Sequence, residues 1–157
     1  MARRRRVYHK PDRRDPKFDS ELIGHLISMV MKDGKRSLAE RVVYSAIDKA
    51  NEGTDTIDPL EVVTRAIENS KPRVEVKSRR VGGATYQVPL EISGSRQTAL
   101  ALRWLVSFSH ARKGVLMKDA LASEIREASE GQGSCIRKRD EMHKMAQSNK
   151  AFAHFRW

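Results

Sequence analysis

Residues 72–92, PRVEVKSRRVGGATYQVPLEI, read as a long basic β-hairpin set into a chain whose remaining apolar pattern is helical. Val74 and Val76 alternate with Arg73, Glu75 and Lys77. Beyond Gly82-Gly83, the residues Tyr86, Val88, Leu90 and Ile92 alternate with Thr85, Gln87 and Glu91. A period of two sends one side-chain set to each face of a strand, and a Gly-Gly step supplies the positive φ that a tight reversal needs. A lone two-stranded hairpin is marginal in water. This one carries Arg79 and Arg80 beside its tip, and guanidiniums are natural donors to phosphate. The segment reads as an arm that reaches into nucleic acid. A surface hairpin with a solvated charge run is common enough that the hairpin alone does not decide.

Charge tips the balance. The chain of 157 residues holds 31 Lys+Arg against 20 Asp+Glu, a formal net charge of +11. Such an excess attracts polyanions without specifying a fold. It is also unevenly placed. Residues 1–20 hold eight basic groups and three acidic ones, and residues 71–103 hold seven and two, whereas residues 38–70 reverse the sign with seven acidic against three basic. A two-faced molecule follows, one part meeting phosphates and the other meeting water or a basic partner. A nonspecific polycation would show no acidic block.

The hydrophobic share, 39%, suffices for a modest core, and the length is one domain's worth of chain. Cys135 is the single cysteine, which excludes a disulfide framework and a multi-thiolate metal site. No apolar run approaches the roughly 18 residues of a membrane helix, and residues 1–18 lack the apolar stretch of a secretory signal. A reducing, cytosol-like compartment is the default, with neither a membrane nor a small-molecule substrate expected.

Punctuation predicts six helices. Leu22, Ile23, Leu26, Ile27 and Val30 follow Asp19-Ser20 and stop at Lys32-Asp33-Gly34. Ser37-Leu38-Ala39-Glu40 fits a capping box for a second helix running to about Asn51. Asp58-Pro59 reads as N-cap and first helical position of a third, broken at Lys71-Pro72. Ser93-Gly94-Ser95 launches a fourth, and Gly114 separates it from a fifth that ends at Gly131 and Gly133. Ser134 is positioned to cap the sixth. The expected fold is therefore mainly α: a single domain, 1–157, of about six helices with a protruding two-stranded hairpin at 72–92. A flexible basic extension occupies 1–14, and a C-terminal tail at 149–157 continues from the last helix.

Enzymatic motifs are mostly absent. Asp33-Gly34-Lys35-Arg36-Ser37 lacks the earlier glycine and the adjacent Lys-Ser pair of a phosphate loop, so a tight basic turn is the better reading. The five histidines fall at no ligand spacing, and Cys135 has no evident His or Asn partner. Gly82 and Gly83 are followed by no helix and make no dinucleotide fingerprint. Met29, Met31, Met142 and Met145 read as core filler. Neither a metal nor a cofactor is expected. Binding features are stronger in sum. Arg3, Arg4, Arg5 and Arg6, with Lys10 nearby, form a basic arm of the kind that orders on nucleic acid. Lys32, Lys35 and Arg36 cluster in one interhelical turn. Arg96 and Arg103, seven apart, share a helix face. Arg137, Lys138 and Arg139 open the last helix, where cations oppose the helix dipole and a bound phosphate would reverse that cost. The C-terminal FAHFRW places aromatics beside cations, and such groups stack on unpaired bases. For Phe152, packing onto the helical bundle is the plainer expectation.

The stretches DPKF (15–18), DGKRSLAERVVYSA (33–46), RVEVKSRRVGGATYQVPLEI (73–92), ALALRWLV (99–106) and NKAFAHFRW (149–157) resemble the bacterial form of small-subunit ribosomal protein seven, from end to end and in order. The resemblance implies a structural constituent of the small ribosomal subunit, not an enzyme. Such a protein binds the 3′ major domain of the small-subunit ribosomal RNA and organises assembly of the head. It also implies an exit-site position near transfer RNA and messenger RNA, beside ribosomal protein eleven of the small subunit. By position, Lys32, Lys35, Arg36, Lys77, Arg79, Arg80, Arg96 and Arg103 inherit RNA-facing roles, and the N-terminal arginines the role of a threaded extension. Arg79, Arg80, Val81, Gly82, Gly83, Arg156 and Trp157 fall near the exit-site RNAs. The implied place is a cytoplasmic ribosome, with an organellar one left open. Two other classes stay in view. A helix-turn-helix DNA regulator would leave the hairpin without a role. An RNA-cleaving enzyme would need an acid/base pair or a metal site, and the carboxylates Asp48, Asp58 and Glu61 sit in the acidic block away from the basic groups.

Overall fold

The computed structural model describes residues 14–52 and 58–155. Six α-helices, one antiparallel hairpin and a terminal 3₁₀ helix follow in chain order. They are α1 (Glu21–Val30), α2 (Arg36–Asn51), α3 (Pro59–Ser70), β1 (Val74–Val81), β2 (Ala84–Glu91), α4 (Gly94–Ala111), α5 (Met117–Ser129), α6 (Gly133–Ser148) and the 3₁₀ segment Lys150–Phe155. The mainly helical class and the inserted hairpin agree with the sequence reading.

Each helix buries one stripe at the expected period. Ile23, Leu26 and Ile27 of α1, Val43 and Ile47 of α2, and Val63 and Ile67 of α3 meet Leu102 and Leu105 of α4 and Leu121 and Ile125 of α5 in a continuous core. Small residues let the helices approach: Ala46, Ala50, Ala66, Ala101 and Ala128 are all buried. α5 packs against α2, α3, α4 and α6 and so holds the middle of the body. Met29 and Met31 pack against the core as expected, but Met145 stands half exposed on α6.

The caps divide into one success and two corrections. Asp58 accepts from the backbone N–H of Leu60 at 2.9 Å with Pro59 in the first turn, as predicted. Ser37 does not cap α2. The helix begins one residue earlier, at Arg36, and Glu40 turns from a capping role to accept Arg36 Nε at 2.8 Å. The physical reason is the preceding turn: Asp33 (φ 52°) and Gly34 (φ 71°) are both left-handed, so the chain already points along α2 at Lys35. Ser134 likewise lies inside the first turn of α6, which starts at Gly133.

Two buried carboxylates organise polar contacts beneath the apolar layer. Asp15, in the segment before α1, accepts the backbone N–H groups of Lys17 (3.1 Å) and Phe18 (2.8 Å) and the phenolic O–H of Tyr44 on α2. Burial, then Asp15, push the Tyr44 phenol up to about 12, so it remains a donor. The DPKF stretch is thereby given a mechanical role, since the aspartate folds its own turn and ties that turn to α2. Glu124 of α5 is 1% exposed and accepts both Nε (3.0 Å) and an Nη (2.6 Å) of Arg112, which also reaches Glu127. Cys135 Sγ lies 3.7 Å from Glu124. Burial and that carboxylate push the thiol upward, leaving it protonated and inert.

Candidate nucleic-acid interface

The hairpin closes as Val81-Gly82-Gly83-Ala84, with φ of 58° and 90° at the two glycines and Val81 paired to Ala84. Two consecutive positive φ values are what a two-residue reversal with the right-handed strand twist demands. The register then fixes the faces. Opposed residues share a face, so Glu75, Lys77 and Arg79 lie with Leu90, Val88 and Tyr86. Val76, Ser78 and Arg80 lie on the other face with Pro89, Gln87 and Thr85. Arg79 and Arg80, adjacent in sequence, therefore leave opposite faces of the arm.

Directed contacts fix the arm to the rest of the fold, among them Gln97 Nε2 of α4 donating to the Ile92 carbonyl at 2.9 Å and three more. The backbone N–H of Arg73 donates to Nε2 of His143 on α6 at 3.0 Å. Glu75, nearly buried, accepts a forked pair from Arg96 at the start of α4, with Arg96 Nη2 to Oε2 at 2.8 Å and Nε to Oε2 at 3.1 Å. Lys77 adds a contact at 3.2 Å, and Arg96 before Lys77 holds the Glu75 carboxyl below its ordinary value. Third, Tyr86 packs on Phe152 and Phe155 of the terminal 3₁₀ segment, with ring centroids at 5.1 and 5.3 Å. The tail does continue from α6, but Phe152 folds onto the hairpin instead of onto the helical bundle. β2 offers an aromatic partner within reach of the turn that follows α6.

His143 accepts through Nε2, which requires the unprotonated nitrogen there. Burial, with Arg139 and Arg73 nearby, pushes its pKa down and keeps the ring neutral.

The remaining cations sit on rigid supports. Lys32 and Lys35 stand exposed on the left-handed α1–α2 turn, where Lys35 N–H donates to Lys32 O at 3.0 Å. They rim an apolar groove lined by Val30, Leu38, His110 and Met117. Leu38, Val115 and Leu116 are exposed around it, Leu116 by 66%. Sequence reasoning missed this apolar patch. Its signal is the Val115-Leu116-Met117 run directly after Gly114, three apolar residues before the next helix is under way. Arg103 shares the Arg96 face of the unbroken α4 and is exposed. Among the described residues Lys32, Lys35, Arg80 and Arg103 carry no ion pair. Arg36 pairs with Glu40, Arg96 with Glu75, and Lys138 with Glu141 at 3.6 Å. Arg137 lies exposed near Ser134 Oγ at 3.4 Å. Arg139 departs from its two neighbours and turns inward to the Asn69 carbonyl. Arg3, Arg4, Arg5, Arg6, Lys10, Arg156 and Trp157 lie outside the described residues.

Among the described residues no helix is long and apolar enough to cross a membrane, and no group of His, Cys, Asp and Glu is arranged to hold a metal. The arrangement can do something other than bond chemistry: present fixed cations and exposed apolar surface to a shaped polyanion.

Comparison with known proteins is consistent with this. The family model described as ribosomal protein S7p/S5e matches residues 2–150. The chain is 71% identical to small ribosomal subunit protein uS7 of Akkermansia muciniphila over 157 residues, covering the whole of both chains. Across equally complete alignments it is 50% identical to the protein of that name from Nocardioides sp. and 51% identical to that from Mycolicibacterium vanbaalenii. A hairpin with this register, a basic left-handed turn between the first two helices and a match along nearly the entire chain lead to one conclusion: the protein belongs to the ribosomal protein S7p/S5e family.

Proposed function

We propose that this protein is a structural constituent of the small ribosomal subunit that binds the 3′ major domain of its RNA, organises assembly of the head and lines the exit site. Membership in a ribosomal protein family makes it a non-enzymatic chain. The observation that carries the reading is the sorting of charge. Most acidic side chains of the body pair internally, as Glu40, Glu61, Glu68, Asp119 and Glu124 do. Lys32, Lys35 and Arg103 project from rigid elements, and Arg80 from the arm, with no such partner among the described residues. A-form RNA has a major groove too deep and narrow for side chains, so phosphates, shape and unpaired bases must be read instead. Cations on a helical body and on a projecting arm suit a junction of several RNA helices.

The protein does this by lowering the free energy of one RNA arrangement relative to its competitors. The α1–α2 turn and the α4 face take phosphates. The arm, with Arg79 and Arg80 on opposite faces, reaches between two strands or two RNAs, which fits transfer RNA and messenger RNA at the exit site. The basic stretch 1–14 threads into RNA, and residues 149–157 approach the exit-site RNAs and ribosomal protein eleven. The cytoplasmic ribosome is the proposed location. The test is a footprint of the protein on naked small-subunit RNA with affinity measured against salt. Protection of one multi-helix junction is expected, with a log–log salt slope of about −0.7 to −0.9 per neutralised phosphate. Equal affinity for an unrelated structured RNA, or a flat salt response, would overturn the reading.

A further inference from the structure

We infer that the cleft between α4 and α6 is a binding site for one unpaired nucleotide, its base stacked on Trp104 or Phe108 and its phosphate held by Arg137 and Lys138. The inference rests on the RNA-binding reading above and deepens it, giving Arg137 and Lys138, already read as phosphate-facing cations, an aromatic wall across α4 and a ligand class.

Trp104, Ser107 and Phe108 follow at i, i+3 and i+4 on α4 and so share one face. Ser134, Arg137, Lys138 and Glu141 follow at i, i+3, i+4 and i+7 on α6 and share another. The two faces enclose a cleft of about 520 Å³, within the span of about 300–1,000 Å³ usual for small-molecule sites. Trp104 and Phe108 are half-buried: they anchor in the core while part of each ring lines the cleft. Aromatic side chains lining a solvent-open cleft are groups on which any base can stack, largely independent of sequence. The opposite wall supplies the charge. Arg137 is exposed and holds only a long 3.4 Å contact to Ser134 Oγ. Lys138 is shared with Glu141 at 3.6 Å.

Two cations against one carboxylate leave the lining at +1, enough for one phosphate and too little to adsorb a run of them. Arg137 and Lys138 lie in the second turn of α6, one turn beyond Ser134, so that the sequence expectation of cations set against the helix start is not met and their role here is that of side-chain charges on the cleft wall. Ser107 and Ser134 offer hydroxyls to the base edge or the ribose. Bases inside a duplex have both faces covered by their neighbours, so the ligand class is single-stranded: a bulged or looped-out nucleotide.

The experiment uses the full chain with Trp157→Phe, which leaves Trp104 as the only tryptophan. Short single-stranded oligo-adenylate is the probe. An RNA duplex closed by a loop at each end, with the loops alone as its blank, and poly-glutamate serve as controls, and binding of the small-subunit RNA by the chain with Trp157 intact is followed in parallel. Saturable quenching of Trp104 by oligo-adenylate, and not by the controls, is expected. Ser107→Glu, an exposed substitution that puts a carboxylate into the cleft, should weaken that binding at least tenfold with no change in melting temperature. Phe108→Leu should weaken it with helicity retained. Equal quenching by poly-glutamate would reduce the cleft to a general anion site and overturn the inference. Absence of quenching while the chain still binds small-subunit RNA would overturn the cleft alone. Failure to bind that RNA at all would overturn the function proposed above.

Discussion

The helical body and the hairpin arm are held by different physics. In the body, Leu102, Leu105, Leu121 and Ile125 are completely buried and belong to one core cluster drawn from all six helices. In the arm, Val88 is the only comparably buried apolar side chain of the two strands, and the directed contacts that hold it include Arg73 to His143, Glu75 to Arg96, Gln97 to the Ile92 carbonyl and Tyr86 on two phenylalanines. The body is stabilised by non-directional burial spread over many side chains. The arm is aimed by a few directional contacts, so its position can be lost without loss of the fold. Under the proposed function, in which the arm reaches among RNA strands, that separation lets the body hold its shape while the arm adjusts.

The largest effect that sharpens this contrast belongs to the core. Leu121→Ala or Leu102→Ala should cost about 2–5 kcal/mol, from lost transfer energy plus the cavity left behind, read as a drop in denaturation midpoint with the slope unchanged. Tyr86→Ala comes next. Removing its packing on Phe152 and Phe155 should cost about 1 kcal/mol, given about 0.5–1.5 kcal/mol for an aromatic pair beyond area burial. Amide exchange should quicken across 84–91 and 150–155 while protection in α2 and α5 is kept. Loss of protection throughout α5 would show that arm and body are one cooperative unit.

A smaller effect is expected from pH. The folded state holds His143 below its ordinary value of 6.5. As pH falls below about 6.5 the unfolded chain binds a proton that the folded arm resists, so this contribution is complete above 6.5 and declines beneath it. Glu75 is also held below its ordinary value, 4.5. Its contribution is present above that value and is lost as pH falls further, through the folded one. Exchange at the arm should therefore rise in two acid stages, and His143→Phe should remove the first. A pH-independent arm would show that the Arg73–His143 bond does not set its position.

The smallest effect on stability belongs to the tip. Arg79→Ala and Arg80→Ala, singly or together, should shift stability by no more than about 0.5 kcal/mol. Affinity for small-subunit RNA should fall, and the log–log salt slope should lessen by about one for each phosphate no longer neutralised. Because the two side chains leave opposite faces, the single variants should weaken different footprint positions. Identical footprints would contradict the two-faced arm.

The periodic elements are legible along the chain alone: helical stripes at 3.6 residues, strand alternation at two, the Gly82-Gly83 reversal, and the Asp58-Pro59 start of α3. Each depends on side-chain pattern or backbone freedom within a few neighbouring positions. The sequence also carries the charge imbalance, because charge is additive along a chain. Helix starts set by a neighbouring turn were less legible, and α2 begins at Arg36 because the left-handed pair before it aims the chain. Which cations remain available is settled by packing between distant elements. Arg96 and Arg103 look equivalent on one helix face, yet Arg96 is engaged by a carboxylate from β1 twenty-one residues earlier. Arg137 and Arg139 are two residues apart, yet one faces the α4 cleft and the other turns inward to the Asn69 carbonyl. Phe152 meets a strand sixty-six residues before it. Pairings of this kind depend on how whole elements are oriented in space. No local pattern encodes that orientation, and so the working surface of the molecule is settled only when the core has closed.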